Sequence, residues 1–179
     1  MNKFVTFLLP IFLLLGGCET TKDLLDVNFD TTLTKTIPVV VTSTDEMTTF
    51  VVLDATTDPE IMKYANKIKS YEITDLKFAI ENYNTSITSE IYFNGVVGFS
   101  DISAGTLEKS CPLSPVNITL FAGTGDFAVQ PCTNLANDLA ELLAAENALK
   151  IYLKGTFSQA PLTFNLLVTV KVKIIANPL

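Results

Sequence analysis

The side chains able to do covalent or acid–base chemistry are few in kind: three thiols (Cys18, Cys111 and Cys132), 19 carboxylates and 12 cationic side chains, every one a lysine. The sequence contains no histidine, arginine or tryptophan. Without histidine the commonest general base and the commonest zinc ligand are missing. Neither a Ser-His-Asp nor a Cys-His nucleophile can be assembled. Without arginine there is no bidentate clamp for a phosphate or carboxylate substrate. A paired-carboxylate glycosidase needs two acids about 5–9.5 Å apart in a cleft, and the missing tryptophan removes the usual sugar platform. The composition points to a protein that is not an enzyme, with no cofactor and no metal.

The remaining local motifs have plain explanations. Asp54, Asp58 and Glu60 offer oxygen ligands around one turn, as calcium requires, yet a helix cap plus solvated charges accounts for them better. Gly123-Thr124-Gly125-Asp126 lacks the lysine and the following helix of a phosphate loop and reads as a turn. Asp101 also reads as a turn residue.

Cys18 stands in a more specific context. Lys3 gives a short positive start, residues 4–15 are an almost unbroken apolar run, and Leu15-Gly16-Gly17-Cys18 ends it. A secretory signal has a positive start, an apolar stretch of about 7–15 residues and small residues before the cut. A membrane-spanning helix needs about 20 apolar residues, and Pro10 interrupts this one. The segment resembles a bacterial lipoprotein signal peptide with its lipobox. That resemblance implies cleavage before Cys18, which is acylated through its thiol and becomes the new N-terminus, and a mature residue carrying three chains, enough for a lasting membrane anchor. It divides the chain into a signal peptide (residues 1–17), a lipidated tether (18–23) and one β-rich domain (24–179). The five polar residues from Glu19 to Asp23 reach at most about 18 Å, so the domain is expected close to the membrane surface. The implied location is the cell envelope, with the outer membrane preferred over the inner.

Two thiols are left over. Cys111 and Cys132 form an even pair in an exported, oxidising setting and are expected to form a disulfide. Such a bridge contributes on the order of 3 kcal/mol in the chain-entropy model. Cys111-Pro112 and Pro131-Cys132 flank the turn at residues 123–126, so the expected role is structural.

Removing residues 1–17 takes away Lys3 alone, leaving 11 basic against 19 acidic residues, a balance of −8. Nucleic acid demands a clustered positive footprint, and this chain has none. An acidic surface also does not adhere to anionic lipid, which leaves the attachment to the acyl anchor.

Alternation with period two dominates the positioning elements. From residue 162 to 174 every even position is apolar, and the odd positions are mostly polar, the mark of a strand with one buried face. A strand of that length must bend at a bulge or serve two sheets. Shorter alternating or β-branched runs occupy residues 27–33, 37–41, 50–53, 76–80, 87–93, 96–99, 116–120, 127–130 and 151–157. Pro38 favours an edge or a strand start, and Asn94-Gly95 reads as a hairpin turn. About nine or ten strands predict a mainly β fold, an antiparallel β-sandwich or partly open barrel. Two short amphipathic α-helices interrupt it. Asp58 as N-cap and Pro59 at the first helical position start one, with Ile61, Tyr64, Ala65 and Ile68 as its stripe. The other runs from residue 133 or 134 to about Leu149, with Leu135, Leu139, Leu142 and Leu143 on one face.

The expected function is that of a membrane-anchored accessory or interaction module in an envelope assembly, with one or more envelope proteins as partners. Two other readings are a carrier of a lipid or other apolar ligand, enclosed by curved strands and helices, and a surface adhesin or pilus-type subunit completed by a donated strand.

Overall fold

The computed structural model describes residues 26–104, 109–125 and 134–177. The alternation at the C-terminal end becomes β7 (Leu162–Ala176), whose even positions are all buried. It lies at the centre of a three-stranded antiparallel sheet, between β1 (Val27–Val41) and β3 (Ile68–Thr85). It does not serve two sheets, and it is paired along its whole length with β1. The irregularity falls on β3 instead, whose register slips between Ile68 and Ser70, Ile73 and Asp75, and Glu81 and Asn84. Each slip puts an extra residue on β3, and such bulges bend and twist a strand. Since β7 pairs on both sides within the chain, it is an integral strand of this fold.

The second sheet has the order β2-β6-β4-β5, built from β2 (Met47–Asp54), β6 (Ala148–Phe157), β4 (Tyr92–Ser100) and β5 (Lys109–Asn117). The two sheets form the expected β-sandwich, without barrel closure. Their inner faces share one apolar core. Three phenylalanines join the layers. Phe93 on β4 stands opposite Phe157 on β6 with ring centroids 4.9 Å apart, and Phe157 meets Phe164 of β7 edge-on at 5.9 Å. Each such pair adds about 0.5–1.5 kcal/mol beyond its buried area.

Seven strands are described rather than nine or ten, because neighbouring short runs fuse. The runs at 27–33 and 37–41 are one strand, and Pro38 sits on it as a sheet edge requires. Residues 127–130, expected as a strand, lie outside the described residues.

Three local expectations are corrected. Asn94-Gly95 is not a turn but the middle of β4, with Gly95 directly opposite Gly155. Residues 118–121 are not strand but a short helix, α2 (Ile118–Phe121), because the Asn117 side chain accepts a hydrogen bond from the Leu120 amide at 3.0 Å and caps it. Ile68 opens β3 rather than ending a helix: α1 (Pro59–Tyr64) stops at Ala65. Within α1, Ile61 is fully buried and Tyr64 packs on Phe29 at 5.6 Å.

The longest helix, α3 (Leu135–Glu146), buries Leu135, Leu139 and Leu143 and packs against β3, with lesser contacts to β6 and β5. It ends earlier than Leu149. Asn147 takes the left-handed conformation at φ 55° and its amide donates to the Leu143 carbonyl at 2.7 Å. Asparagine tolerates that conformation better than most residues, and β6 begins directly after it.

Candidate functional site

Cys111 lies on β5 opposite Val97 and is fully buried. Cys132, its expected partner, and Cys18 both lie outside the described residues. A sulfur so placed is shielded from solvent.

The acidic turn is built for capping. The Asp54 carboxylate accepts from the Thr56 amide at 2.8 Å and the Thr56 hydroxyl at 2.6 Å, closing a 3-10 turn at Ala55–Thr57. Asp58 accepts from the amides of Glu60 and Ile61 at 2.8 and 3.1 Å, the expected N-cap, and from the Thr31 hydroxyl at 2.6 Å. Glu60 points away to Lys63. One Asp54 oxygen and both Asp58 oxygens accept from N–H and O–H donors. Among the described residues no cluster of three or more such groups could hold a metal.

Partial burial resists ionisation of Asp58. The Thr31 hydroxyl and the Ile61 and Glu60 amides outweigh it together and hold the carboxyl below its ordinary value of 3.8. A depressed carboxylate adds stability that is present above the unfolded value and is lost as pH falls through the folded one. Asp58→Asn keeps a capping oxygen but does not titrate. Urea unfolding should therefore show the wild type ahead of the variant near neutrality. That lead should shrink below about pH 4, and a lead independent of pH would show that the charge is irrelevant.

Asp101 is the expected turn residue. The Ser103 hydroxyl and the Ala104 amide donate to it and hold its carboxyl below the ordinary range. Gly125 has φ 84°, the left-handed geometry of the expected turn.

Sequence reasoning missed a feature on the outer face of the second sheet. Phe50 of β2 is 54% exposed and sits beside Tyr152 of β6, with centroids 5.3 Å apart. Lys150 places its Nζ 5.8 Å from the Phe50 ring centre and donates to the Ala104 carbonyl at 2.9 Å. Lys154, two positions beyond Tyr152 on the same face, meets Glu46 at 3.3 Å. The one available signal was Phe50 alternating with Thr49 and Val51, and periodicity alone does not tell an outward aromatic from a core one. The opposite outer face, on the first sheet, carries Lys171 by Asp75 and Lys173 by Glu72, each at 3.6 Å. Exposed pairs of that kind contribute at most about 1 kcal/mol and mark a solvated surface.

Between the sheets, Phe78, Phe93, Val97, Leu153 and Phe164 line an apolar cavity of about 20 Å³. On the same measure one water needs about 10–15 Å³, so the space is about that of a single water. Among the described residues no helix is long and apolar enough to cross a membrane. No protein-family model matches this chain, and neither does any curated protein.

Proposed function

We propose that the protein is a non-enzymatic lipoprotein of the cell envelope, anchored to a membrane through acylated Cys18, with the outer membrane preferred. It acts there as an interaction module within an assembly. The observation that carries this reading is the Leu15-Gly16-Gly17-Cys18 sequence directly after the apolar run. The lack of histidine and arginine supports a role in contact rather than catalysis. The inter-sheet cavity of about 20 Å³ favours this role over a lipid carrier, since small-molecule sites occupy about 300–1,000 Å³. In this reading Cys111 and Cys132 form a disulfide that ties the edge of the second sheet to the segment before α3.

Cys18→Ser tests it. The variant is expected to fold with the wild-type circular dichroism spectrum and to show no reactive thiol from Cys111 or Cys132 when denatured without reductant. It should move from the membrane to the soluble fraction and fail to complement a deletion. A variant that still sediments with membranes, or that complements while soluble, removes the anchor from the function.

A further inference from the structure

A sandwich has four sheet edges, and an open edge is a row of unpaired backbone groups ready to take another strand. Three of the four edges here carry features that obstruct pairing. β1 carries Pro38 and also Lys35, which alternates with the buried Leu33 and Ile37 on the inner face. β3 is broken by three register slips and covered in part by α3. β5 carries Pro112 and Pro115. β2, reading Met-Thr-Thr-Phe-Val-Val-Leu-Asp, has no proline, glycine or lysine and pairs with β6 in an unbroken register over all eight residues. Its composition is strongly strand-forming, and the exposed Phe50 ring stands near its centre.

The ends of this strand are acidic. Asp45 and Glu46 precede it, and Asp54 and Asp58 end and follow it. Lys154 answers Glu46, and Lys63 answers Glu60. Among the described residues no lysine forms an ion pair with Asp45, Asp54 or Asp58. A second copy laid antiparallel about Phe50 would set Asp45 and Glu46 of one chain against Asp54 of the other. Like charges at both ends oppose that pairing.

We propose that β2 is a docking edge for an extended segment of a partner protein, apolar along its middle and basic at both ends, added to the second sheet as a further strand. Main-chain hydrogen bonds supply affinity in such strand addition, and side chains supply selection. Phe50, packed beside Tyr152, offers the incoming strand an aromatic neighbour on the outer face. This rests on the interaction-module reading and names the kind of partner.

The test uses the acylated protein in detergent micelles and a synthetic peptide of alternating valine and threonine with lysines at both ends. The expected result is slowed amide exchange over residues 47–54 and little change elsewhere. A peptide with glutamates at its ends should bind at least about tenfold more weakly. Phe50→Lys, which supplies the missing edge lysine at an exposed position, should abolish the protection with an unchanged circular dichroism spectrum. If that variant misfolds, Thr48→Lys takes its place. Protection outside β2, equal affinity for both peptides, or a homodimer protected at β2 without peptide overturns the proposal. Partner cross-links from intact membranes that map to another face, with β2 unchanged, also overturn it while leaving the interaction module standing.

Discussion

Gly95→Val is expected to unfold the domain at room temperature, and Gly95→Ala to cost about 3 kcal/mol. The usual sign is the opposite, since replacing a strand glycine removes about 0.5–1 kcal/mol of unfavourable backbone entropy. Here the geometry overrides it. A β-carbon on Gly95 would lie 2.6 Å from the Phe93 ring, 2.7 Å from the Gly155 α-carbon and against the Lys154 carbonyl oxygen. One on Gly155 would lie 2.6 Å from the Gly95 α-carbon and 2.9 Å from the Phe93 ring. The two glycines face each other across β4 and β6, and the slot they leave holds the Phe93 ring. That ring is fully buried against Phe157, so it has nowhere to move. Phe93→Ala should therefore cost much less when added to Gly95→Ala than it costs alone, because it removes one of the obstacles. Gly123→Ala is the control: its nearest neighbour would be 3.8 Å away, and a change under about 1 kcal/mol is expected. Urea unfolding followed by far-ultraviolet circular dichroism measures all five. A Gly95→Ala domain as stable as the wild type would show that β4 and β6 can part without penalty.

The same glycine shows where sequence reasoning ran out. Asn-Gly is a strong turn signal when judged from four residues. What keeps the pair inside a strand is a second glycine sixty residues away and a ring above both, which no local window contains. The long-range alternation of β7 was legible for the opposite reason: seven apolar residues at even positions admit one buried face and no other. The Asp58 cap was legible because capping is chemistry within three residues. Asn117 caps in the same way, yet Ile118 and Leu120 beside it fit a strand equally well, so α2 was lost to periodicity. For the site the division is sharper. Cys111 was expected in a disulfide, and the structure shows its side chain fully buried. The place of β2 at the end of the second sheet was not legible, because strand order is a property of the whole sheet. The residues that carry the membrane reading, Cys18 and its neighbours, speak through their motif alone.

Asn147→Gly is expected to cost about 2 kcal/mol and Asn147→Ala about 3 kcal/mol. Four bonds converge on this one residue. Its amide donates to Leu143 at the end of α3, and its carbonyl accepts from Ala55 at 2.8 Å. Its side-chain oxygen accepts from the Tyr71 hydroxyl at 2.6 Å, and its side-chain nitrogen donates to the Ala65 carbonyl at 3.3 Å. It therefore ties α3, the 3-10 turn, β3 and the end of α1 together. Glycine keeps the backbone bonds and suits the left-handed conformation at φ 55°. It still leaves the buried Tyr71 hydroxyl without its acceptor, a penalty of about 1–3 kcal/mol. Alanine adds the steric strain of that conformation. Tyr71→Phe removes the orphaned donor, so Asn147→Gly should cost less in that background, and the double-mutant cycle measures the difference. Tyr71 supplies a further readout. Burial first, and the negative charge of Asp54 second, push its hydroxyl up to about 12. A raised value adds stability that is fully present below the ordinary value of 10 and is lost as pH rises through the folded one. Wild-type stability should therefore fall between pH 10 and about 12, and Tyr71→Phe should flatten that decline. Equal losses for glycine and alanine at residue 147 would mean that backbone strain plays no part. A cycle with no coupling would mean that Tyr71 and Asn147 hold the fold independently.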